Sequence, residues 1–375
     1  MADQGISRRQ FVQTTAAVAA GATVLSSAQG ADNIREVGKA IVNGPDEIKK
    51  TRSYNPQMEY RRLGKTGIYV SAVCMGGHWK RIDKMIGSPD RNLAYAQPGG
   101  AVQGKFEQNR YDVVTRCIEH GINLIDACTG GEVMAYAKAL KGRRDKMYLN
   151  YSWYEKEMRM PEWRTTPKLL HGLEEGLRAA GLEYIDLWRI TCHEKGSNHT
   201  EAETEQFIKA LETAKKQGKC RFTGISSHDR PWLKKTIEKY PEVMQVIVSP
   251  YTAASKELPT DSLFATVKQF DVGWLGIKPF ASNSLFKGDS SLNSPTRDED
   301  DKLARLAIRY ILGNPAITAP IPGLVNAHQV DNVVAAVKEK RELDDTERAE
   351  LQAATDAMWA RLPADYQWLK EWQHV

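Results

Sequence analysis

Residues capable of proton chemistry follow several apolar segments of strand length. Asp126 and Lys278 each end such a segment, and His193 follows a third by two residues. A carboxylate, an ammonium group and an imidazole held close together can exchange protons with a bound substrate, and the imidazole does so near neutral pH. Tyr151 ends a further segment and would add a phenol. These four residues are our catalytic candidates.

Each candidate also has a simpler structural explanation. Tyr151 could pack as an aromatic residue at the rim of a site, and His193 could lie in a loop without a chemical role. Asp126 could orient loop amides or form a salt bridge with Lys278. The sequence leaves these alternatives open.

Eight apolar segments of strand length alternate with segments of helical spacing. The predicted strands are Val70–Met75, Asn123–Ala127, Met147–Tyr151, Ile185–Thr191, Arg221–Ser226, Met244–Ser249, Gly273–Lys278 and Ile317–Ile321. The predicted helices include Tyr111–His120, Pro167–Ala180, Glu203–Gln217 and Asp298–Leu312. This alternation predicts an α/β fold, a (β/α)8 TIM barrel, whose active sites form at the carboxyl ends of the strands.

Two features interrupt this repeat. Residues 60–69, with a turn at Gly64–Gly67, predict an N-terminal β-hairpin before the first strand. Residues 78–107 are an inserted loop after strand 1, on the face where the candidates meet together with His78 and His228. This insertion either shapes a pocket or decorates the surface.

Composition indicates one globular unit after a leader. The chain has 375 residues, of which 41% are hydrophobic and 26% charged, with a net charge of +5. The basic residues form no stripe, so a nucleic-acid partner is not indicated. We assign residues 31–57 to a linker or extension and residues 58–375 to the barrel with an aromatic C-terminal tail.

Residues 1–30 have the features of a twin-arginine signal peptide. The segment Ser7–Phe11 contains Arg8 and Arg9 and precedes a weakly apolar run, residues 16–25. That run is too short to span a bilayer comfortably. We expect recognition by the twin-arginine export machinery and a periplasmic or otherwise exported protein without a stable membrane anchor. The alternative is an amphipathic helix with a chance arginine pair.

Five single cysteines and several absent motifs limit other functions. No Cys-x-x-Cys pair or other metal-binding spacing occurs, so no metal site is predicted, and buried thiols are favoured for Cys74, Cys117, Cys128, Cys192 and Cys220. The chain also lacks a Gly-x-Gly-x-x-Gly after a strand, a phosphate loop, His-Glu-x-x-His and a nucleophile elbow.

Six segments together resemble the aldo-keto reductases, nicotinamide-dependent carbonyl reductases built on a barrel. They are Glu59–Gly67, Gly121–Ala127, Gly181–Leu187, Gly218–Ser227, Gln245–Tyr251 and Ile321–Gly323. The resemblance covers residues 58–337. It implies NADP or NAD as cofactor and a small carbonyl or sugar-like substrate, and it implies that the hairpin closes the bottom of the barrel.

The resemblance also implies a cofactor site after strands five to eight. The family holds the nicotinamide carboxamide with a Ser-Asn pair and a Gln, and Ser226, Ser227 and Gln245 stand at those positions. Ile277 replaces an aromatic residue that often stacks on the ring. The family's arginine for the extra phosphate of NADP is replaced within Leu324–Asn326, which leaves the phosphorylated state open. The other cofactor candidates are Gly76, Gly77, Gly323, Gln329 and Asn332.

Catalysis is where the sequence departs from the family. The resemblance implies a proton-donating Tyr tuned by Lys, Asp and His, but only Asp126 is present. Gly131, Ser152 and Thr191 stand at the Tyr, Lys and His positions. We therefore expect an exported oxidoreductase with a rearranged acid. The alternative is a catalytically silent or non-redox barrel that binds a ligand or partner.

Overall fold

A two-stranded antiparallel hairpin precedes seven parallel strands that stand side by side in chain order. The structure, a computed structural model, describes residues 45–90, 93–95, 102–255, 262–364, 367 and 370. The hairpin consists of β1 (Tyr60–Arg62) and β2 (Tyr69–Ser71). The parallel strands are β3 (Leu124–Ala127), β4 (Tyr148–Tyr151), β5 (Ile185–Thr191), β6 (Cys220–Ser226), β7 (Val246–Pro250), β8 (Gly273–Ile277) and β9 (Ala319–Ile321).

Residues 74–76 close the barrel between β3 and β9. The Met75 amide donates to the Leu124 carbonyl at 2.9 Å, and the Gly76 amide donates to the Pro322 carbonyl at 2.8 Å. The predicted first strand, Val70–Met75, is therefore divided. Its first part pairs with β1, because the chain changes partner after Ser71, whose amide donates to the Asn123 side chain. The predicted (β/α)8 barrel with its N-terminal hairpin is confirmed.

The hairpin seals the amino ends of the strands. Leu63 is fully buried inside the barrel, and the Arg62 guanidinium donates two 2.7 Å hydrogen bonds to the Asp271 carboxylate before β8. Side chains that point into the barrel form its inner core above the hairpin. They include Val70, Leu124, Tyr148, Leu187, Val246 and Leu275. The barrel is therefore closed at this end, and a ligand must enter at the carboxyl ends.

Amphipathic helices cover the outside of the barrel, and their apolar faces form the larger outer core with the strands. They are α1 (Pro45–Lys49), α2 (Ile82–Ile86), α3 (Gln103–Glu119), α4 (Gly130–Ala139), α5 (Thr166–Ala180), α6 (Glu201–Lys216), α7 (Arg230–Lys239), α8 (Leu263–Gln269), α9 (Arg297–Gly313), α10 (Ala327–Lys338) and α11 (Asp345–Arg361). Side chains fix several starts, as where Thr200 and Glu203 form a capping box on α6. Among the described residues, no helix has the length and apolar character needed to cross a membrane.

The described part of the predicted extension, residues 45–57, lies against the amino ends of the strands. Arg52 donates to the Asp186 carboxylate at 2.9 Å, and Arg144 and Arg221 do so at 2.6 and 2.9 Å. Although burial opposes it, these guanidiniums hold the pKa of Asp186 below its usual range. The extension is therefore tied to the barrel by a buried charge cluster.

The C-terminal helix α11 reaches toward the open end of the barrel. Trp359 packs against the outer core, and the Arg361 guanidinium donates to the Ser284 carbonyl in the loop after β8. Trp368 and Trp372 of the predicted C-terminal tail lie outside the described residues. The segments 31–44, 91–92 and 96–101 of the extension and insertion also lie outside them.

We predict that alanine at Gly64 destabilises the fold more than alanine at Gly67. Both residues have a positive φ, 48° and 72°, so each substitution should cost about 1–2 kcal/mol of backbone strain. A Cβ at Gly64 would also lie 2.2 Å from the Gly273 nitrogen, whereas nothing lies within 4 Å of one at Gly67. Denaturant unfolding should show at least ~2 kcal/mol of additional loss for Gly64→Ala. Equal losses would mean that Gly64 does not pack directly against Gly273 of β8.

Candidate active site

A cavity of about 990 Å³ opens at the carboxyl ends of the strands. Its charged and titratable lining residues come from six different strand ends and the loops that follow them. They are His78, Lys80, Asp126, Cys128, Arg159, Arg189, Glu194, His228 and Lys278. Arg159 and Glu194 form a 3.3 Å ion pair at the rim. Among the described residues, no group of three His, Cys, Asp or Glu side chains could hold a metal ion.

A buried ion pair between Asp126 and Arg189 forms the floor of this cavity. Arg189 Nη2 lies 2.9 and 3.0 Å from the two Asp126 carboxylate oxygens, and Arg189 Nε donates to Oδ1 at 3.0 Å. The Asn150 side-chain amide also donates to Asp126 Oδ1, at 2.7 Å. Although burial opposes it, the Asp126 charge raises the pKa of the Arg189 guanidinium, which therefore stays protonated.

Hydroxyl groups connect Arg189 to a second buried carboxylate. Arg189 Nη1 donates to Thr191 Oγ1 at 2.7 Å, and Thr191 Oγ1 lies 2.8 Å from Ser152 Oγ. Ser152 Oγ donates to Glu157 at 2.5 Å, and the Thr191 amide donates to the same carboxylate at 2.7 Å. Burial raises the pKa of Glu157, although these hydrogen bonds oppose the shift. Ser152 and Thr191 therefore belong to a continuous network of hydrogen bonds between Arg189 and Glu157.

His78 is held by a buried glutamate, Glu132, which is linked through Cys128 to the Arg189 side of the cavity. His78 Nδ1 lies 2.8 Å from Glu132, which is fully buried and also accepts from the Cys128 amide at 2.6 Å. Although burial opposes it, His78 and the backbone amides lower the pKa of Glu132, so this carboxylate is ionised. His78 Nε2 lies 3.1 Å from the hydroxyl of Tyr95 in the insertion. His78 has a φ of 50°, a conformation that a non-glycine residue adopts at a cost.

The same insertion covers Gly131. A Cβ at Gly131 would lie 2.6 Å from the Ala94 carbonyl oxygen, and the Thr129 hydroxyl donates to that same oxygen. A side chain at position 131 therefore has no room while the insertion is docked. His78 and Lys80 of the insertion line the cavity, so its described residues shape the site.

The model of the aldo/keto reductase family matches residues 96–356, more than two thirds of the chain. The chain belongs to this family. It is similar to an L-galactose dehydrogenase from Arabidopsis thaliana, with 24% identity over 313 residues that cover 76% of this chain and 90% of the plant protein. Among solved structures, it is similar to a Bacillus halodurans aldo-keto reductase in its holo form, with a TM-score of 0.55, 21% identity and coverage of 79% and 96%.

A second solved structure is an aldo/keto reductase from Klebsiella pneumoniae in complex with NADP and acetate. It has a TM-score of 0.57 and 18% identity, and the match covers 79% of this chain and 95% of that one. Identities of this size show a shared fold.

Two of the four catalytic candidates line the cavity of this aldo-keto reductase. Asp126 lies on its floor, and Lys278 lines its wall with a φ of 61°. His193 instead belongs to a loop outside the cavity, where its Nδ1 accepts from the Lys195 amide at 3.1 Å. His228 lines the cavity, and burial, helped by Lys278, lowers its pKa well below the usual value, so this imidazole is neutral.

The assignment of Tyr151 to the site is corrected by the structure. Asn150 points toward Asp126 inside the barrel, so the side chain of Tyr151 points outward, as alternation along a strand requires. Its hydroxyl is buried against α5, where a Cβ at Gly176 would lie 1.9 Å from it. Tyr151 therefore packs between the barrel and its helices.

Five cofactor candidates line the cavity, namely Gly76, Gly77, Ser226, Ile277 and Gly323. An adjoining cavity of about 690 Å³ is lined by Gln329 and Asn332 and by the loop after β8. Lys80, Phe280, Asn283 and Gly323 line both cavities, so the two form one cleft with two lobes. We call the cavity above Asp126 the inner lobe and the other the outer lobe.

Ser227 and Gln245 lie outside this cleft. Ser227 Oγ donates to the carbonyls of His193 and Glu194 at 3.0 and 3.1 Å, which fixes the loop after β5. Gln245 precedes β7, at the amino end of the strand, where its side-chain oxygen accepts from Lys215 at 2.9 Å. Their assignment to the cofactor is corrected, because their polar groups bind the protein itself.

Sequence reasoning missed Arg189, Glu157 and the pair of Glu132 with His78. A signal existed for Arg189, since it shares the inward parity of Leu187, which lies in the inner core. A buried guanidinium at such a position requires a carboxylate across the barrel. Glu157 and Tyr95 lie in loops, where the spacing of residues carries no such signal.

We predict strong coupling between Arg189 and Asp126. Arg189→Met should lower the free energy of unfolding by about 3–5 kcal/mol, because it leaves a buried carboxylate without its counter-charge. The double variant Arg189→Met/Asp126→Asn should lose much less than the sum of the single variants. Denaturant unfolding of all four proteins measures this coupling.

The exposed pair Lys287–Glu299 provides the control, because the same cycle there should be additive within about 1 kcal/mol. Additive losses at Arg189 and Asp126 would show that the two charges are not linked in the folded protein.

Proposed function

We propose that this protein is an exported oxidoreductase of aldo-keto reductase type. It uses a nicotinamide dinucleotide to interconvert a small carbonyl or sugar-like compound and its alcohol. The two-lobed cleft at the carboxyl ends of the strands carries the proposal, because it offers two connected binding spaces above one polar floor.

The residues of the cleft fit a dinucleotide. Ser226 and Ile277 give the inner lobe a hydrogen-bonding group and an apolar wall beside the floor. Lys80 lies where the lobes meet and suits the pyrophosphate. Gln329 lines the outer lobe at the start of α10, where Asn326 caps the helix. When bound, the nicotinamide exchanges a hydride with the carbonyl carbon. The names of the Klebsiella complexes with NADP and NADPH support this cofactor class.

The wall of the outer lobe is held by contacts between the start of α2 and the loop after β8. The Arg81 guanidinium donates to the Gly288 carbonyl and, at 3.2 Å, to the Ser290 hydroxyl. Lys84 and Asp289 form a 3.5 Å ion pair beside them. These contacts favour retention of a dinucleotide, which an enzyme outside the cytoplasm needs, since free dinucleotides are not expected there.

The floor of the inner lobe suits a small polar substrate. Arg189 directs Nη1 toward Thr191 and Cys128, which line the cavity, so it places fixed positive charge where a carbonyl oxygen gains negative charge. We propose that this guanidinium takes over the cationic role of the family's lysine, with Ser152 and Thr191 at the lysine and histidine positions. The name of the plant relative, L-galactose dehydrogenase, supports a sugar-like substrate.

A ligand-binding barrel without redox activity is the second candidate. The observation that favours it is the position of Ser227 and Gln245, because two groups expected to hold the nicotinamide carboxamide bind the protein instead. Dinucleotide binding is expected of the oxidoreductase and not of the second candidate.

We predict that the purified protein binds a reduced dinucleotide and that Lys80→Met weakens binding about tenfold, the equivalent of one charge-assisted hydrogen bond. Lys146→Met is the matched control, since Lys146 pairs with Asp145 at the surface before β4, lines neither lobe and should leave the dissociation constant unchanged. Quenching of tryptophan fluorescence on titration with NADH and NADPH measures both constants and decides the form used. Absence of quenching with both forms would reject the oxidoreductase and favour the second candidate.

We predict export through the twin-arginine pathway. A reporter fused to residues 1–40 should reach the periplasm of a bacterial host, and Arg8→Lys/Arg9→Lys should retain it in the cytoplasm although the charge is unchanged. Fractionation of the host measures the outcome. Equal export of both fusions would contradict the assignment of this leader.

A further inference from the structure

Tyr95, His78 and Glu132 form a connected row of three titratable side chains, of which His78 lines the inner lobe. Glu132 lies 2.8 Å from Nδ1 of His78, and the Tyr95 hydroxyl lies 3.1 Å from Nε2 of the same ring. The ring of Tyr95 meets the imidazole edge-on, with centroids 5.6 Å apart. His78 lines the cavity, and Tyr95 is 47% exposed, so the row runs from a buried carboxylate to solvent.

The buried end of this row is rigidly built. Glu132 accepts hydrogen bonds from the amides of Cys128 and His78, and a Cβ at Gly77 would collide with its carboxylate. The carboxylate can therefore only accept from His78 Nδ1, which fixes the ring with a proton on Nδ1 and Nε2 directed at Tyr95.

Tyr95, the outer end of the row, belongs to the insertion. Thr129 donates to the Ala94 carbonyl and so fixes the residue before Tyr95. The Ala94 carbonyl lies where a side chain at position 131 would begin. The docked insertion and a side chain at Gly131 exclude each other, and the insertion brings a phenol to the same corner of the site.

We propose that Tyr95, His78 and Glu132 are the proton relay of this enzyme, with Tyr95 in place of the phenol that the family carries at position 131. This inference rests on the proposed function. In the reducing direction, a bound reduced nicotinamide dinucleotide supplies the hydride and is itself oxidised. The Tyr95 O–H bond breaks as an O–H bond forms on the former carbonyl oxygen of the substrate.

The remaining proton movements involve only this chain. The Glu132 carboxylate stabilises the imidazolium of His78, which passes its Nε2 proton to the Tyr95 oxygen. The neutral ring keeps its proton on Nδ1 and then regains one on Nε2 from solvent. Oxidation of an alcohol runs the same steps backwards. Tyr95 is the catalytic residue in this scheme, and His78 and Glu132 act through it. Asp126 also interacts electrostatically with His78 and belongs to the charged surroundings of the relay.

Kinetics of the full chain test the relay. The probe is the aldose or small aldehyde that the wild-type protein reduces fastest, followed by the absorbance of the reduced dinucleotide. Tyr95→Phe should lower kcat by about 10²–10⁴, with KM and the dinucleotide dissociation constant nearly unchanged. His78→Gln should lower kcat and remove one limb of its pH profile. Tyr154→Phe is the matched control, since its ring packs beside Tyr95 at 6.1 Å but is not part of the row.

A second readout does not need turnover. Nitrogen-15 spectra of the histidine rings should show His78 with its neutral proton on Nδ1, and Glu132→Gln should abolish this preference. A proton on Nε2 in the neutral wild-type ring, or full activity of Tyr95→Phe, would overturn the relay while leaving the oxidoreductase in place. A wild-type protein that binds no dinucleotide and reduces no probe would instead reject the proposed function, and the relay with it.

Discussion

The buried ion pair between Arg189 and Asp126 sets the conditions for the rest of the site. A guanidinium inside a barrel is tolerated only with a carboxylate in direct contact, and Asp126 supplies it with two oxygens. A lysine at position 152 or a charged histidine at position 191 would place another cation beside this guanidinium. Hydroxyl groups at Ser152 and Thr191 instead accept from Arg189 or pass hydrogen bonds on to Glu157. One arginine therefore accounts physically for two departures from the family pattern.

The third departure has a separate cause in the insertion after the first strand. Its residues Ala94 and Tyr95 dock where a side chain at Gly131 would stand, so glycine at 131 and the insertion require each other. His78 contacts Glu132 in the first turn of α4 on one side and Tyr95 of the insertion on the other. The charged groups of the cavity thus lie in two sets, one on the floor around Arg189 and one at the rim around His78. Lys80 lines both the inner and the outer lobe and so marks where the two lobes meet.

The sequence was sufficient for the barrel and the hairpin, because apolar segments of strand length and the glycines of a tight turn are local signals. It also placed Asp126, Ser226 and Ile277 correctly in the cavity, since each ends or follows a strand. It failed for Tyr151, where inward and outward positions differ by one residue. It failed again for Gln245, because the motif did not reveal that this side chain lies at the amino end of the strand, where it binds Lys215. Glu157 and Tyr95 reach the site through loops, whose paths depend on tertiary contacts that no local pattern encodes.

We propose that the two-lobed cleft holds a nicotinamide dinucleotide outside the cytoplasm. The most direct measurement is native mass spectrometry of protein recovered from the export compartment, followed by identification of whatever is released on denaturation. We expect one dinucleotide per folded chain. Folded protein from the export compartment whose native mass equals its denatured mass carries no dinucleotide, and this result would contradict the proposal.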